Sequence, residues 1–212
     1  MADTAIDFAS MMCSRLCHDL LSPVGSFGTG LELLADEHEP EMRQRCIDLL
    51  ESSARTAINR LKYFRLAFGS AGGYGDSVSA ADLREAIAGL VPEGRTVTLN
   101  WIGEETPLAK PAARVPLLLA MVIVDALVRG GQIDMAVEVR GDMLELAVRG
   151  AGDRVVIDPA SEALFGDTSS TEMSPKTIPI ALARRIAREG EGDIMLSRPD
   201  ARELVVGAIL RV

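Results

Sequence analysis

Arg15-Leu16-Cys17-His18-Asp19-Leu20-Leu21-Ser22-Pro23 places one of only two histidines midway along an amphipathic stretch, with an acid beside it and a proline five residues on. Winding residues 6–34 at about 100° per residue gathers Phe8, Ala9, Met12, Leu16, Leu20, Phe27, Leu31 and Leu34 on one broad face. His18 falls opposite the centre of that face, among Met11, Ser14, Arg15, Ser22, Gly25 and Thr29. The imidazole is therefore expected to point at solvent or at a visiting partner. Most surface histidines are inert, but an exposed neutral imidazole is a nucleophile near neutral pH.

The longer pattern narrows the reading. It resembles the H-box of sensor histidine kinases, which runs His, an acid, two further residues, Thr or Ser, then Pro; here those positions are His18, Asp19, Ser22 and Pro23.

The rest of the first third reads as a helical hairpin. The first helix is expected from near Asp3 to Leu34, continuous through Pro23 with a kink, since proline removes one backbone hydrogen bond. Asp36 to Glu39 form a polar loop, and Pro40 sits where a first helical residue tolerates having no N–H. In the second helix Leu50, Ala54, Ala57, Leu61, Phe64 and Phe68 alternate by four and three. A loop this short makes the helices antiparallel. Two helices cannot cover broad apolar stripes on both members, so a homodimer forming a four-helix bundle is expected.

Gly69-Ser70-Ala71-Gly72-Gly73-Tyr74-Gly75 has linker composition, dividing the chain into a helical hairpin (1–69), a linker (70–78) and an α/β domain (79–212). In the last, Ser79 caps a helix through Val91 with Asp82 in its first turn. Arg95 to Trp101 alternates as a strand, and Ala112 to Arg129 reads as a buried helix. Strands Gln132–Arg140 and Met143–Arg149 flank a turn at Gly141-Asp142, and Arg154–Ile157 is expected to extend the sheet. Pro175–Glu189 is helical, and strands Gly192–Ser197 and Glu203–Arg211 close the chain. The fold class is α+β: a two-helix hairpin, then an α/β sandwich.

Composition limits the partners. A chain of 212 residues with 48% hydrophobic content fills one sizeable core or two small ones, and two small domains are favoured. A net charge of −9 and a pI near 4.8 argue against nucleic acid or anionic membrane and for a protein partner. The longest apolar run, Val115–Val124, is ten residues and too short to span a bilayer, and the first residues lack the basic and apolar regions of a signal peptide. Three cysteines, an odd number, fit a reducing compartment, so a cytoplasmic protein is expected. Cys13 and Cys17 lean toward the apolar side of the helix, away from His18, and read as buried thiols rather than metal ligands.

The α/β half resembles the ATP-binding domain of histidine kinases, but without its ligands. Where kinases place two asparagines four apart, Asp125 and Arg129 stand; the Asp-x-Gly-x-Gly box aligns with Val148-Arg149-Gly150-Ala151-Gly152, so the adenine-binding aspartate is a valine. The third box, Gly-x-Gly, aligns with Thr177-Ile178-Pro179, which lacks the close backbone approach that phosphate binding needs.

A complete H-box hairpin joined to such a domain resembles the ChpT family of bacterial histidine phosphotransferases, most specifically in the H-box, in Ser52-Ser53-Ala54-Arg55 and in Arg65-Leu66-Ala67-Phe68-Gly69. The resemblance implies a shuttle that takes phosphoryl from the receiver domain of a hybrid histidine kinase onto His18 and delivers it to response-regulator receivers, in family members often a cell-cycle transcription regulator. It also implies that this chain binds no cofactor and no ATP, and that the Mg²⁺ for transfer sits on the partner receiver. On this reading Asp19 orients the imidazole, Arg15 offers donors to the phosphoryl oxygens, Ser22 lies one turn on, and the small outward positions Ser22, Gly25, Ser26 and Thr29 admit a receiver helix. His38, beside the interhelical loop, reads as plain surface. Two other functions fit the residues: a non-catalytic adaptor or antikinase that binds kinase or receiver domains, and an atypical ATP-dependent histidine kinase.

Overall fold

The computed structural model describes residues 5–69, 77–166 and 173–212. Helix α1 (Ala5–Asp36) runs unbroken through Pro23, as its apolar period requires. Its C-terminal carbonyls have no intrahelical partner, and Arg43 Nη1 supplies one, donating to Leu34 O at 3.1 Å and Glu37 O at 2.6 Å. Glu37 Oε1 accepts from the N–H groups of His38 and Glu39, which turns the chain into α2 (Pro40–Ala67) with Pro40 in the first turn. The helices pack side by side where α1 carries Gly30: a Cβ there would lie 2.9 Å from Leu50 Cδ2.

The second half begins with β1 (Ser77–Val78), which pairs antiparallel with β3 (Leu108–Ala109). The expected linker, 70–78, thus lies outside the described residues except for these two positions. Ser79 caps α3 (Ala80–Leu90) through a capping box: its Oγ accepts from Asp82 N at 3.1 Å, and Asp82 Oδ2 accepts from Ser79 N at 3.2 Å. Then follow β2 (Val97–Ile102), α4 (Lys110–Ala126), β4 (Gly131–Arg140), β5 (Met143–Ala151), the short α5 (Pro159–Ala163), α6 (Ile178–Glu189), β6 (Asp193–Ser197) and β7 (Glu203–Arg211). Five strands form one sheet in the order β2-β4-β5-β7-β6.

Strand pairing adds one feature that the sequence pattern did not specify, and two local expectations need correction. Strands β2 and β4 pair in parallel, Val97 opposite Gly131, because α4 intervenes as a crossover; the other pairs in this sheet are antiparallel. Helix α4 stops at Ala126, three residues early, because the chain turns through Gly130 and Gly131 at positive φ; at Gly130 a Cβ would meet the Thr96 carbonyl oxygen at 2.3 Å. Residues 154–157 do not join the sheet. They run past the end of α4, with Val155 bridging Leu127 and Val156 N donating to Ala126 O.

Helices α4 and α6 cover one face of the sheet, whose inward side chains include Ile133, Met135, Leu144, Val148, Leu204 and Val206, all fully buried. The core does not divide at the hairpin. Tyr63, Phe64 and Ala67 at the end of α2 belong to the same apolar cluster as Leu117, Leu118 and Met121 of α4, and the Tyr63 hydroxyl donates to the Leu117 carbonyl. Met12, Leu16 and Leu20 of α1 pack against that cluster, half-buried. The His18 helix is thereby set against the α/β half, within side-chain reach of α4.

Candidate functional site

His18 projects from α1 with 82% of its side chain exposed. Its Nδ1 lies 3.1 Å from Asp19 Oδ1. A carboxylate only accepts, so this contact puts the proton of the neutral ring on Nδ1 and leaves the lone pair on the outward Nε2.

Asp19 is itself held. Arg15 Nε donates to Asp19 Oδ2 at 2.7 Å, one helical turn back, and Arg60 Nη1 from α2 donates to the Asp19 main-chain oxygen at 2.8 Å. Arg15 Nη2 reaches across to Asp125 Oδ2 on α4 at 2.8 Å. Arg15 and Asp19 are 6% and 7% exposed. Burial alone would weaken the Arg15 charge, but Asp125 and then Asp19 hold its guanidinium above the ordinary arginine range. Tyr63, below this group, is pushed well above the ordinary phenol range by burial first and by the Asp125 carboxylate second.

A cavity of about 610 Å³ opens beside His18, between α1 and the α/β half. Ser14, Asp125, Val122, Val156, Lys176 and Pro179 are among the residues that line it.

The residues singled out by sequence fall into two groups. His18, Asp19 and Arg15 come together as one connected unit. Ser22, Gly25 and Thr29 continue the His18 face outward and are exposed, whereas Ser26 turns half-buried. A Cβ on Gly25 would meet no atom within 4 Å, so that face is open. His38 is exposed.

Arg15 requires a correction. Read as an outward donor, it is buried, and its Nε–Nη2 edge is occupied by two carboxylates; a helical projection gives the period of α1 but not the neighbour that covers it. Asp125, read only as a substitute for an asparagine, is the residue that sequence reasoning missed. The cysteines also differ from expectation: Cys46 is buried, but Cys13 and Cys17 are exposed on this chain, beside a stripe of outward Leu21, Val24, Phe27 and Leu31. Among the described residues no cluster of His, Cys, Asp or Glu is placed to hold a metal ion, and no helix is long and apolar enough to cross a membrane.

The positions that hold a nucleotide in histidine kinases have other partners here. Val148 is fully buried in the core and Asp125 is paired with Arg15. Thr177 is fully buried and bonds to Ser174 through its side chain.

Comparison with known proteins agrees with the architecture. A family described as the histidine phosphotransferase C-terminal domain matches residues 80–202. Protein phosphotransferase ChpT of Brucella abortus (strain 2308) is 36% identical over 137 residues, a stretch that spans 64% of this chain and 63% of that protein. A solved structure of a bacterial phosphotransferase superposes with a TM-score of 0.83 over 98% of each chain at 24% identity, a likeness of fold.

Proposed function

Since the chain belongs to the histidine phosphotransferase family, we propose that it relays phosphoryl groups between receiver domains on His18, accepting from the receiver aspartate of a hybrid histidine kinase and donating to response-regulator receivers. The observation that carries this reading is the exposed imidazole fixed at Nδ1 by a buried carboxylate. Nε2 attacks the phosphorus of an aspartyl phosphate in line, the N–P bond forms as the P–O bond to the receiver breaks, and the carboxylate leaves. No proton has to move. The ring keeps its Nδ1 proton and gains positive charge, which Asp19 Oδ1 stabilises through the same hydrogen bond. Delivery is the reverse step onto a second aspartate. The Mg²⁺ of the receiver, when bound there, neutralises the transferring oxygens.

In this reading the exposed Ser22, Gly25 and Thr29 form the surface that a receiver helix approaches, and two chains pair through the hairpins into a four-helix bundle. The pairing is supported by apolar side chains left outward on both helices: Leu21, Val24 and Leu31 on α1, Ile58 and Leu61 on α2. The chain takes no nucleotide; micromolar ATP binding by calorimetry would overturn that part. The central test incubates a phosphorylated receiver with the intact protein and with His18→Ala. Acid-labile, alkali-stable label is expected on the intact protein alone, and equal labelling of the variant refutes the proposal.

A further inference from the structure

We propose that Asp125 of α4 is a positioning residue for His18, acting through Arg15 and Asp19; the inference rests on His18 being the phosphoryl acceptor. The four side chains form one line: Asp125 Oδ2 accepts from Arg15 Nη2 at 2.8 Å, Arg15 Nε donates to Asp19 Oδ2 at 2.7 Å, and Asp19 Oδ1 meets His18 Nδ1 at 3.1 Å.

The division of labour follows from guanidinium geometry. The Nε and Nη2 hydrogens lie on one edge, and that edge ordinarily grips both oxygens of a single carboxylate. Here it is shared between two carboxylates. Asp125 draws Nη2 to the α/β half, so Arg15 takes one oxygen of Asp19 and leaves Oδ1 to the imidazole. Without Asp125 the same edge closes on both oxygens of Asp19, and His18 Nδ1 has to compete with a cation for Oδ1. Arg60 does not compete, because it donates to the Asp19 main-chain oxygen.

A second feature sets Asp125 apart from a chance surface acid. It stands in the last turn of α4, a helix with no basic residue there, where the negative end of the helix disfavours a carboxylate. Arg15 offsets that penalty, so the carboxylate and the guanidinium hold each other in place. The degenerate α/β half thereby reaches the nucleophile: it supplies the outer anchor of the chain that sets which ring nitrogen carries the proton.

The test compares the intact full-length protein with Asp125→Ala and Asp125→Glu by ¹⁵N NMR of His18 and by single-turnover transfer from a phosphorylated receiver. In Asp125→Ala the Nδ1–H form is expected to lose its dominance and transfer to slow about tenfold, equivalent to about 1.4 kcal/mol, with circular dichroism and sedimentation unchanged. Asp125→Glu, which restores a carboxylate, is expected to recover both readouts in large part. Wild-type ring nitrogen shifts in Asp125→Ala overturn the inference, whether transfer slows or not, since slowing alone would place Asp125 against the receiver. If instead the shifts change in Asp125→Ala while no protein carries label on His18, the positioning stands and the transfer function fails.

Discussion

Replacing Arg15 with methionine separates the two ion pairs that it makes. The side chain keeps its bulk but loses both charge-assisted hydrogen bonds. The arm to Asp125 ends on a carboxylate whose side chain is 56% exposed, so water screens it and its loss costs about 0.2–1 kcal/mol. The arm to Asp19 is different: both partners are under a tenth exposed, and removing one partner of a buried pair leaves an uncompensated charge at about 3–5 kcal/mol. Urea denaturation is therefore expected to show a loss of about 3–5 kcal/mol for Arg15→Met but less than about 1 kcal/mol for Asp125→Ala. Arg15→Met with Asp19→Leu removes both buried charges and is expected to recover most of the stability while transferring no phosphoryl. Equal losses in Arg15→Met and Asp125→Ala, or a double variant no more stable than Arg15→Met, would refute the assignment of the stabilising term to the buried arm.

Four further outcomes follow from the same geometry. Leu61 is 55% exposed on the single chain, so Leu61→Asp is expected to abolish the dimer in sedimentation; a variant that remains dimeric places the pairing elsewhere. Gly25→Leu and Thr29→Arg fill the open face beyond His18 and are expected to slow receiver transfer at least about tenfold with circular dichroism unchanged, whereas wild-type rates in both move the receiver to another surface. Burial and then Asp125 raise the Tyr63 phenol above its ordinary value of 10.0, so the folded state holds that proton more tightly and its stabilising contribution is present below about pH 10 and lost as pH rises toward the folded value; urea stability of the wild type should fall more steeply than that of Tyr63→Phe above about pH 10, and parallel curves would contradict this. Val148→Asp places an unpartnered carboxylate at a fully buried site and is expected to cost several kcal/mol rather than restore adenine binding, so a stable variant that binds ATP by calorimetry would reverse the reading of that position.

What could be read in the sequence was local or periodic. The Ser79–Asp82 capping box, Pro40 at a helix start and the three-and-four spacing of the hairpin each depend on residues a few positions apart, and each appears in the fold. The outward placement of His18 was legible for the same reason. Features set by contacts between distant segments were not. The parallel β2–β4 pairing depends on where α4 crosses the sheet, and the early end of α4 depends on Gly130 meeting Thr96. Arg15 lies 110 residues from Asp125, and no period along α1 encodes that neighbour. The outward cysteines have a related cause: Cys13 and Cys17 lean to the apolar side as expected, but the part of that side holding Leu21, Val24 and Leu31 is left uncovered by this chain.

The remnants of the nucleotide motifs acquire a physical explanation once each is placed. Gly150 and Gly152 match the glycines of a nucleotide box, yet a Cβ on Gly150 would lie 2.6 Å from Ile123 Cγ2, and one on Gly152 would lie 2.6 Å from the Gly130 carbonyl oxygen. The close packing of β5 on α4, and of the following turn on Gly130, requires glycine at both positions whether or not a nucleotide binds. The acid of that box has no such packing role, and Val148 in its place adds to the buried face of β5. Asp125 is the converse case: a charged residue at a ligand position, retained at the surface by a cation from the other half of the chain. Close packing on α4 and on the turn at Gly130 accounts for the glycines, core burial for the valine, and an ion pair with the His18 helix for the aspartate. A motif aligned with a nucleotide box therefore still reports the fold, because packing alone sets its glycines.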